Sequence, residues 1–254
     1  MWAKDRHHRI VALLAVNEQL SIDRLVDELK VSRESVRRDI VELEAAGKLK
    51  RVHGGVTRAE NAAEPPFKAR LRAHSDAKRR IGIAAARLVQ PGILCAIDAG
   101  STTAAFAAAL ASVHGVAIVT NSIDVAQTVR AVQKQADVVL LGGQIGADVP
   151  GTYGELTLAQ MRRFSCDIAF FSPVAFSAER GASSYHLSEA EFAQAMIDGA
   201  SKVVLLADAS KLGEVSRVQI CGCDRVDVLV TDKKASRQQL NALRAAGLKE
   251  VLVG

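Results

Sequence analysis

The chain has 254 residues, 49% of them hydrophobic and 24% charged, with a net charge of +5 and a pI near 9.1. That apolar content excludes general disorder and leaves room for one large domain, or for a small one beside a medium one. The positive charge leans toward an anionic partner, though it would suit many soluble enzymes.

No signal peptide is visible in MWAKDRHHRI, and no apolar run approaches the roughly 20 residues that span a bilayer, so a cytoplasmic protein with no membrane partner is expected. Asp5 to Val16 carries Ile10, Leu13 and Leu14 at helical spacing, with Arg6, His7 and Arg9 on the other side. Ser21 is a good N-cap for a second helix, Ile22 to Leu29. Ser32 caps a third, from Arg33 to about Ala46, whose inward face is Val36, Ile40 and Leu43 and whose outward face holds Arg33, Ser35, Arg37 and Arg38. Gly47 reads as a left-handed stop. Lys48 to Val56 then reads as a basic hairpin with Lys48, Lys50, Arg51 and His53, where Gly54-Gly55 permits a tight bend or close approach to a phosphate backbone.

Three short helices and a basic ribbon make a winged helix-turn-helix, in which the third helix offers its first residues to base edges in the major groove. An arginine there can hydrogen-bond twice to a guanine edge, while ribbon cations suit phosphates, which position without specifying. Residues 1–60 hold 12 Lys+Arg against 10 Asp+Glu, a net of only +2. The reading therefore rests on where the cations lie. The expected DNA contacts are Ser32, Arg33, Ser35, Arg37, Arg38, Lys50, Arg51 and His53. The bland alternative is a solvated amphipathic helix.

The stretch VSRESVRRDIVELEAAGKLKRVHGGV resembles the DeoR family of bacterial transcription regulators. The resemblance implies operator binding, usually as a repressor, and a C-terminal domain that binds a phosphorylated sugar or related metabolite.

TRAENAAEPP (57–66) reads as linker, so the expected division is 1–57 DNA-binding domain, 58–74 linker and 75–254 sensor. A helical pattern from about Ser75 to Val89 opens with Lys78, Arg79 and Arg80, read as a solvated helix end. From Pro91 onward, apolar runs (93–97, 116–119, 138–141, 168–171, 203–206, 226–230, 251–253) alternate with helical segments (103–111, 123–132, 156–164, 189–199, 236–246). Such alternation implies a mostly parallel sheet covered on both faces, with ligands at the carboxyl ends of its strands. The expected fold class is thus α/β: an N-terminal winged helix-turn-helix followed by a Rossmann-like, mostly parallel sensor domain.

The strand ends are polar. Asp98-Ala-Gly-Ser-Thr-Thr103 opens a helix and has the makings of a phosphate cradle. Thr120-Asn121-Ser122, Gly142-Gly143-Gln144, and Asp208 with Ser210, Lys211 and Gly213 follow. Each alone could be a cap or a turn; four in one sheet favour a ligand site. IDAGSTT, VTNS, LLGGQI, CDIAFFS and LADASKLG also resemble the DeoR sensor domain, similar in fold to ribose-5-phosphate isomerase and glucosamine-6-phosphate deaminase. That resemblance implies effector contacts at Asp98, Gly100, Ser101, Thr102, Thr103, Asn121, Ser122, Gly143 and Lys211. The chain departs from the family pattern at Ser172-Pro-Val-Ala175-Phe176, where glycines are usual, and at Ala193-Gln194, where a Lys-Arg pair is usual. The second departure is expected to remove cationic charge from near the pocket.

Four cysteines, Cys95, Cys166, Cys221 and Cys223, read as reduced thiols; Cys221-Gly-Cys223 lacks the second pair that a zinc site needs. No metal, cofactor or catalytic residue is expected. The favoured function is a metabolite-responsive repressor of a carbohydrate-catabolism operon. Its partners are double-stranded operator DNA, a phosphorylated sugar or polyol, and further copies of itself as a dimer or tetramer. One alternative is a sugar-phosphate isomerase or deaminase carrying a DNA-binding head, for which Asp98, Asp208 or Glu191 are nominal bases. Another is a constitutive architectural DNA-binding protein.

Overall fold

The computed structural model describes residues 2–17, 19–45, 48–52, 54–58 and 64–254, so Gly47 and His53 lie outside the described residues. The chain divides into two compact units, residues 1–74 and 75–254.

The first unit runs α1 (Ala3–Val16), β1 (Gln19–Ser21), α2 (Ile22–Leu29), α3 (Arg33–Ala45), β2 (Leu49–Val52), β3 (Gly55–Arg58) and α4 (Phe67–Arg72). Ser21 caps α2 by accepting the Arg24 N–H, and Lys30 ends it in the left-handed conformation (φ 52°). Apolar spacing on α3 buries Val36, Ile40 and Leu43 against Ile10 and Leu14 of α1 and Leu25 and Leu29 of α2. Each such side chain contributes about 1.5–3 kcal/mol relative to an exposed one. The ribbon is three-stranded, in the order β1-β3-β2. Gln19–Ser21 is a strand that helical spacing does not announce; Leu20 is buried there and pairs with Val56. A side chain at Gly55 would run into the Leu20 carbonyl, so this glycine serves strand contact within the ribbon. Residues 67–72, within the segment read as linker, form α4 and pack on α1. Arg70 there ion-pairs with Glu64 at 2.6 Å.

The second unit runs α5 (Ser75–Ala86), β4 (Leu94–Ile97), α6 (Ser101–Leu110), β5 (Ala117–Thr120), α7 (Ile123–Val132), β6 (Val138–Leu140), β7 (Gln144–Ile145), β8 (Thr152–Tyr153), α8 (Glu155–Met161), β9 (Cys166–Phe171), β10 (Ala175–Ser177), β11 (Gly181–Ser184), α9 (Leu187–Asp198), β12 (Ala200–Leu206), β13 (Val218–Cys221), β14 (Val228–Thr231), α10 (Arg237–Ala245) and β15 (Glu250–Val253). Seven strands form a parallel sheet in the order β15-β14-β12-β9-β4-β5-β6. Alternate residues face opposite layers. Cys95, Ile97, Ile118, Phe170 and Val204 pack with Ile81, Phe106 and Val125 of α5, α6 and α7. Ala96, Val119, Phe171 and Leu205 pack with Met161, Phe192, Met196 and Leu243 of α8, α9 and α10. The order reverses between β4 and β9, whose following helices lie on opposite faces, and this opens a crevice at their carboxyl ends.

The sequence reading misses two small antiparallel sheets, β7-β8 and β10-β11-β13. One further expectation is corrected. Lys78 is buried rather than solvated, because it sits on the side of α5 that packs on the sheet. Ala193 packs in the hydrophobic core and Gln194 is exposed on α9. All four cysteines are free and buried, and burial lifts Cys95 and Cys221 to about 12.

Candidate functional site

Helix α3 presents two exposed arginines, Arg37 and Arg38, that make no ion pair among the described residues. The other expected contacts are more constrained. The Ser32 hydroxyl accepts the Ser35 N–H at 3.3 Å and lies 3.0 Å from the Ser35 hydroxyl, which fixes the start of the helix. Arg33 pairs with Asp23 at 3.3 Å, both side chains being exposed. Arg51 lies across the end of α3: its N–H and its Nε donate to Glu44 at 3.0 and 2.5 Å. Those bonds, the backbone one first, hold the Glu44 carboxyl below its ordinary range. Lys50 is exposed on β2. Asp39, one residue beyond the arginine pair, is buried on the inner face. It accepts bonds from Arg6 Nε and Nη2 at 2.7 and 2.9 Å and lies 3.0 Å from His7 Nε2.

In the second unit the crevice is built around Asp98, which follows β4, and Ser172, which follows β9. The Ser172 N–H donates to Asp98 Oδ2 at 2.9 Å. Lys211 Nζ donates to Ser172 Oγ at 3.1 Å and to the Pro173 carbonyl at 2.6 Å. The Lys211 turn is placed by the Gly213 N–H donating to the Phe176 carbonyl at 2.8 Å. Asp98 Oδ1, Thr102 Oγ1 and Asn121 Oδ1 are buried with no hydrogen-bond partner among the described residues. Helix α6 has no side-chain cap; its first backbone N–H with an acceptor is that of Ala104, on Gly100. The preceding N–H groups and the positive end of the dipole therefore face the crevice, an arrangement suited to an anion. Burial pushes the Asp98 carboxyl up to about 6, against the Ser172 N–H, Thr103 and Lys211; Glu189, which accepts from Ser184 Oγ at 2.7 Å, adds to the rise.

The expected effector contacts divide by what already engages them. Asp98, Thr102 and Asn121 each keep an uncommitted polar atom, Ser101 is buried at the helix start, and Gly100 lies where an added Cβ would sit 3.6 Å from Ser172 Cβ. Three others are occupied by the fold. The Thr103 hydroxyl donates to the Gly100 carbonyl at 3.1 Å, and Ser122 Oγ caps α7 through the Val125 N–H. Gly143 is exposed, and a side chain there would meet the Thr157 hydroxyl and, at 2.7 Å, the Tyr153 carbonyl. The sequence reading names Ser172 only as the start of a departure from the family pattern and Glu189 only as the start of a helix, neither as a site residue. The signal for Ser172 was its place just after a strand, the same signal that marks Asp98. Of the nominal bases, Asp208 caps the turn at Ser210 and Glu191 is exposed.

Comparison with known proteins agrees with both units. Residues 6–62 match the DeoR-like helix-turn-helix domain and residues 73–233 the DeoR C-terminal sensor domain. The chain belongs to the DeoR family. Among its family relatives, the HTH-type transcriptional repressor GlcR of Bacillus subtilis is 30% identical over 254 residues, covering 100% of this chain and 97% of its own. The HTH-type transcriptional regulator IolR of the same organism is 31% identical, covering 84% and 85%. The glycerol-3-phosphate regulon repressor of Escherichia coli is 29% identical, covering 89% and 90%. Among solved structures, ribose 5-phosphate isomerase A from Methanocaldococcus jannaschii is similar at 19% identity over 54% of both chains, with a TM-score of 0.39, too low to bear on function. No described helix of this DeoR-family chain is long and apolar enough to cross a membrane.

Proposed function

We propose that this DeoR-family chain is an operator-binding repressor of carbohydrate catabolism, released by a phosphorylated sugar or polyol. The observation that carries the reading is the crevice between β4 and β9. There an uncapped helix start and Lys211 supply donors for an anion, while Asp98 Oδ1 is a buried acceptor in want of a donor. A ligand with a phosphate at one end and hydroxyls at the other satisfies both. Arg37 and Arg38 read the operator, with Lys50 and Arg51 toward phosphates. The protein acts in the cytoplasm as a homo-oligomer, a dimer or tetramer, because a two-fold operator calls for two recognition helices at fixed spacing. The ligand weakens operator binding by favouring one arrangement of the two units over another.

A second reading, a sugar-phosphate isomerase or deaminase, draws on Asp98 alone. Its carboxyl near 6 suits a general base, but Asp208 is engaged in capping and Glu191 faces solvent. One screen separates the two. The full chain is heated with phosphorylated sugars, polyol phosphates and sugar acids, and each stabilising compound is incubated with it and assayed for conversion. The repressor reading expects a stabilised protein and an unchanged compound. Turnover at enzyme-like rates would overturn it.

A further inference from the structure

The geometry points to Ser172 as a direct contact for the anionic group of the effector, and so as a specificity-determining residue of the crevice. This inference rests on the effector site proposed above and adds a residue to it. Ser172 follows the carboxyl end of β9, at the reversal of strand order, with Asp98 across from it just after β4. Its N–H donates to Asp98 Oδ2 and its Oγ accepts from Lys211 Nζ. One residue thus joins the acidic and the basic group of the site.

The two bonds leave a particular vacancy in hydrogen bonding. Ser172 Oγ already accepts from an ammonium group, so its own O–H is polarised, and the bond seen at this oxygen among the described residues is the one it accepts. Ser172 is half-buried, open enough to meet a ligand. Its Cβ lies 3.6 Å from the position an added Cβ would take on Gly100, the residue that opens α6. The hydroxyl therefore stands beside the uncapped start of α6, where backbone N–H groups also lack acceptors. A hydroxyl, an ammonium and a helix start around one point are three kinds of donor for one group of anionic oxygens. Asp98 Oδ1, buried and unpartnered, lies 3.7 Å from the same point on Gly100 and accepts from a ligand hydroxyl next to the anion.

The ligand class follows: an anion with a hydroxyl on the adjacent carbons, such as a polyol monophosphate. An alanine at 172 keeps the N–H to Asp98 and removes only the hydroxyl; a threonine keeps both.

The test is calorimetric titration of the full chain with glycerol 3-phosphate and, separately, with inorganic phosphate. It is run on the unaltered protein, Ser172→Ala, Ser172→Thr and Lys211→Met, with the melting temperature of each recorded. Ser172→Ala is expected to bind both probes about ten-fold more weakly, the loss for one hydrogen bond to a charged group, at an unchanged melting temperature. Ser172→Thr is expected to recover most of that loss. If Lys211→Met loses binding while Ser172→Ala binds as tightly as the unaltered chain, the effector site stands and the role of Ser172 falls. If Ser172→Thr is as weak as Ser172→Ala at unchanged stability, the hydroxyl is not the contact and the proposal is overturned. Failure of the unaltered chain to bind either probe would remove both the site and the role assigned to Ser172.

Discussion

Arg37 and Arg38 differ from the neighbouring cations in what they are free to do. Arg33 has Asp23 and Arg51 has Glu44, so their charges are partly neutralised at home. Replacing Arg37 or Arg38 by Ala is expected to cost about 1–3 kcal/mol of operator affinity with the melting temperature unchanged, because neither side chain is packed. A quantitative gel shift checks this. At the other end of the chain, Asp98 holds its proton up to about 6 while its unfolded counterpart titrates near 3.8. The folded state therefore binds more protons between those values, so this group's contribution falls as pH rises through that window and the cost is complete above about 6. Asp98→Asn is expected to melt higher than the unaltered chain at pH 7.5 by an amount reflecting up to about 3 kcal/mol. Below both values, at about pH 3, that difference is expected to be nearly gone. Melting curves across the range decide it, and a gap that does not change with pH would contradict the account. Such a cost at rest is what a ligand site built from a desolvated carboxylate implies.

Recognition helix α3 is held by more than its apolar stripe. Asp39 is nearly inaccessible and takes three contacts from Arg6 and His7 of α1, so the arginine pair before it is oriented by an ion cluster on the inner face. Breaking one side of a buried pair leaves the other uncompensated; since Arg6 and His7 retain some solvent access, Asp39→Ala is expected to cost about 2–3 kcal/mol. Urea unfolding of the full chain measures it. The stripe of Val36, Ile40 and Leu43 was legible from spacing alone, as was the alternation of strand and helix in the second unit. Asp39 was not, because a carboxylate in an outwardly polar run looks solvated until its partners thirty residues away are known. Lys78 misleads for the same reason. Ribbon strand β1 and the small sheets around β8 and β11 are two to four residues long, too short for a period of two to declare itself. Ala193, which spacing alone left unplaced, packs in the core.

At the scale of the whole molecule, the two units carry complementary chemistry. One exposes arginines with no ion pair among the described residues, the groups proposed above to meet DNA. The other gathers uncommitted acceptors, a helix start and Lys211 around the place where strand order reverses. Polar strand ends were visible in the sequence, yet which of them converge was not. Convergence depends on β9 lying beside β4 although more than sixty residues of chain separate them. That adjacency brings Ser172 to Asp98. A ligand changes operator binding only through a difference in its affinity for the two states of the protein, and typical couplings run from about 5- to 150-fold. The central claim is tested most directly by the affinity of the full chain for DNA upstream of its own gene, measured at one fixed salt concentration with and without a saturating polyol or sugar phosphate. The account predicts operator affinity at least about five-fold weaker with the ligand present, and a smaller ratio for Lys211→Met. Operator binding unmoved by a ligand that demonstrably occupies the crevice would contradict it.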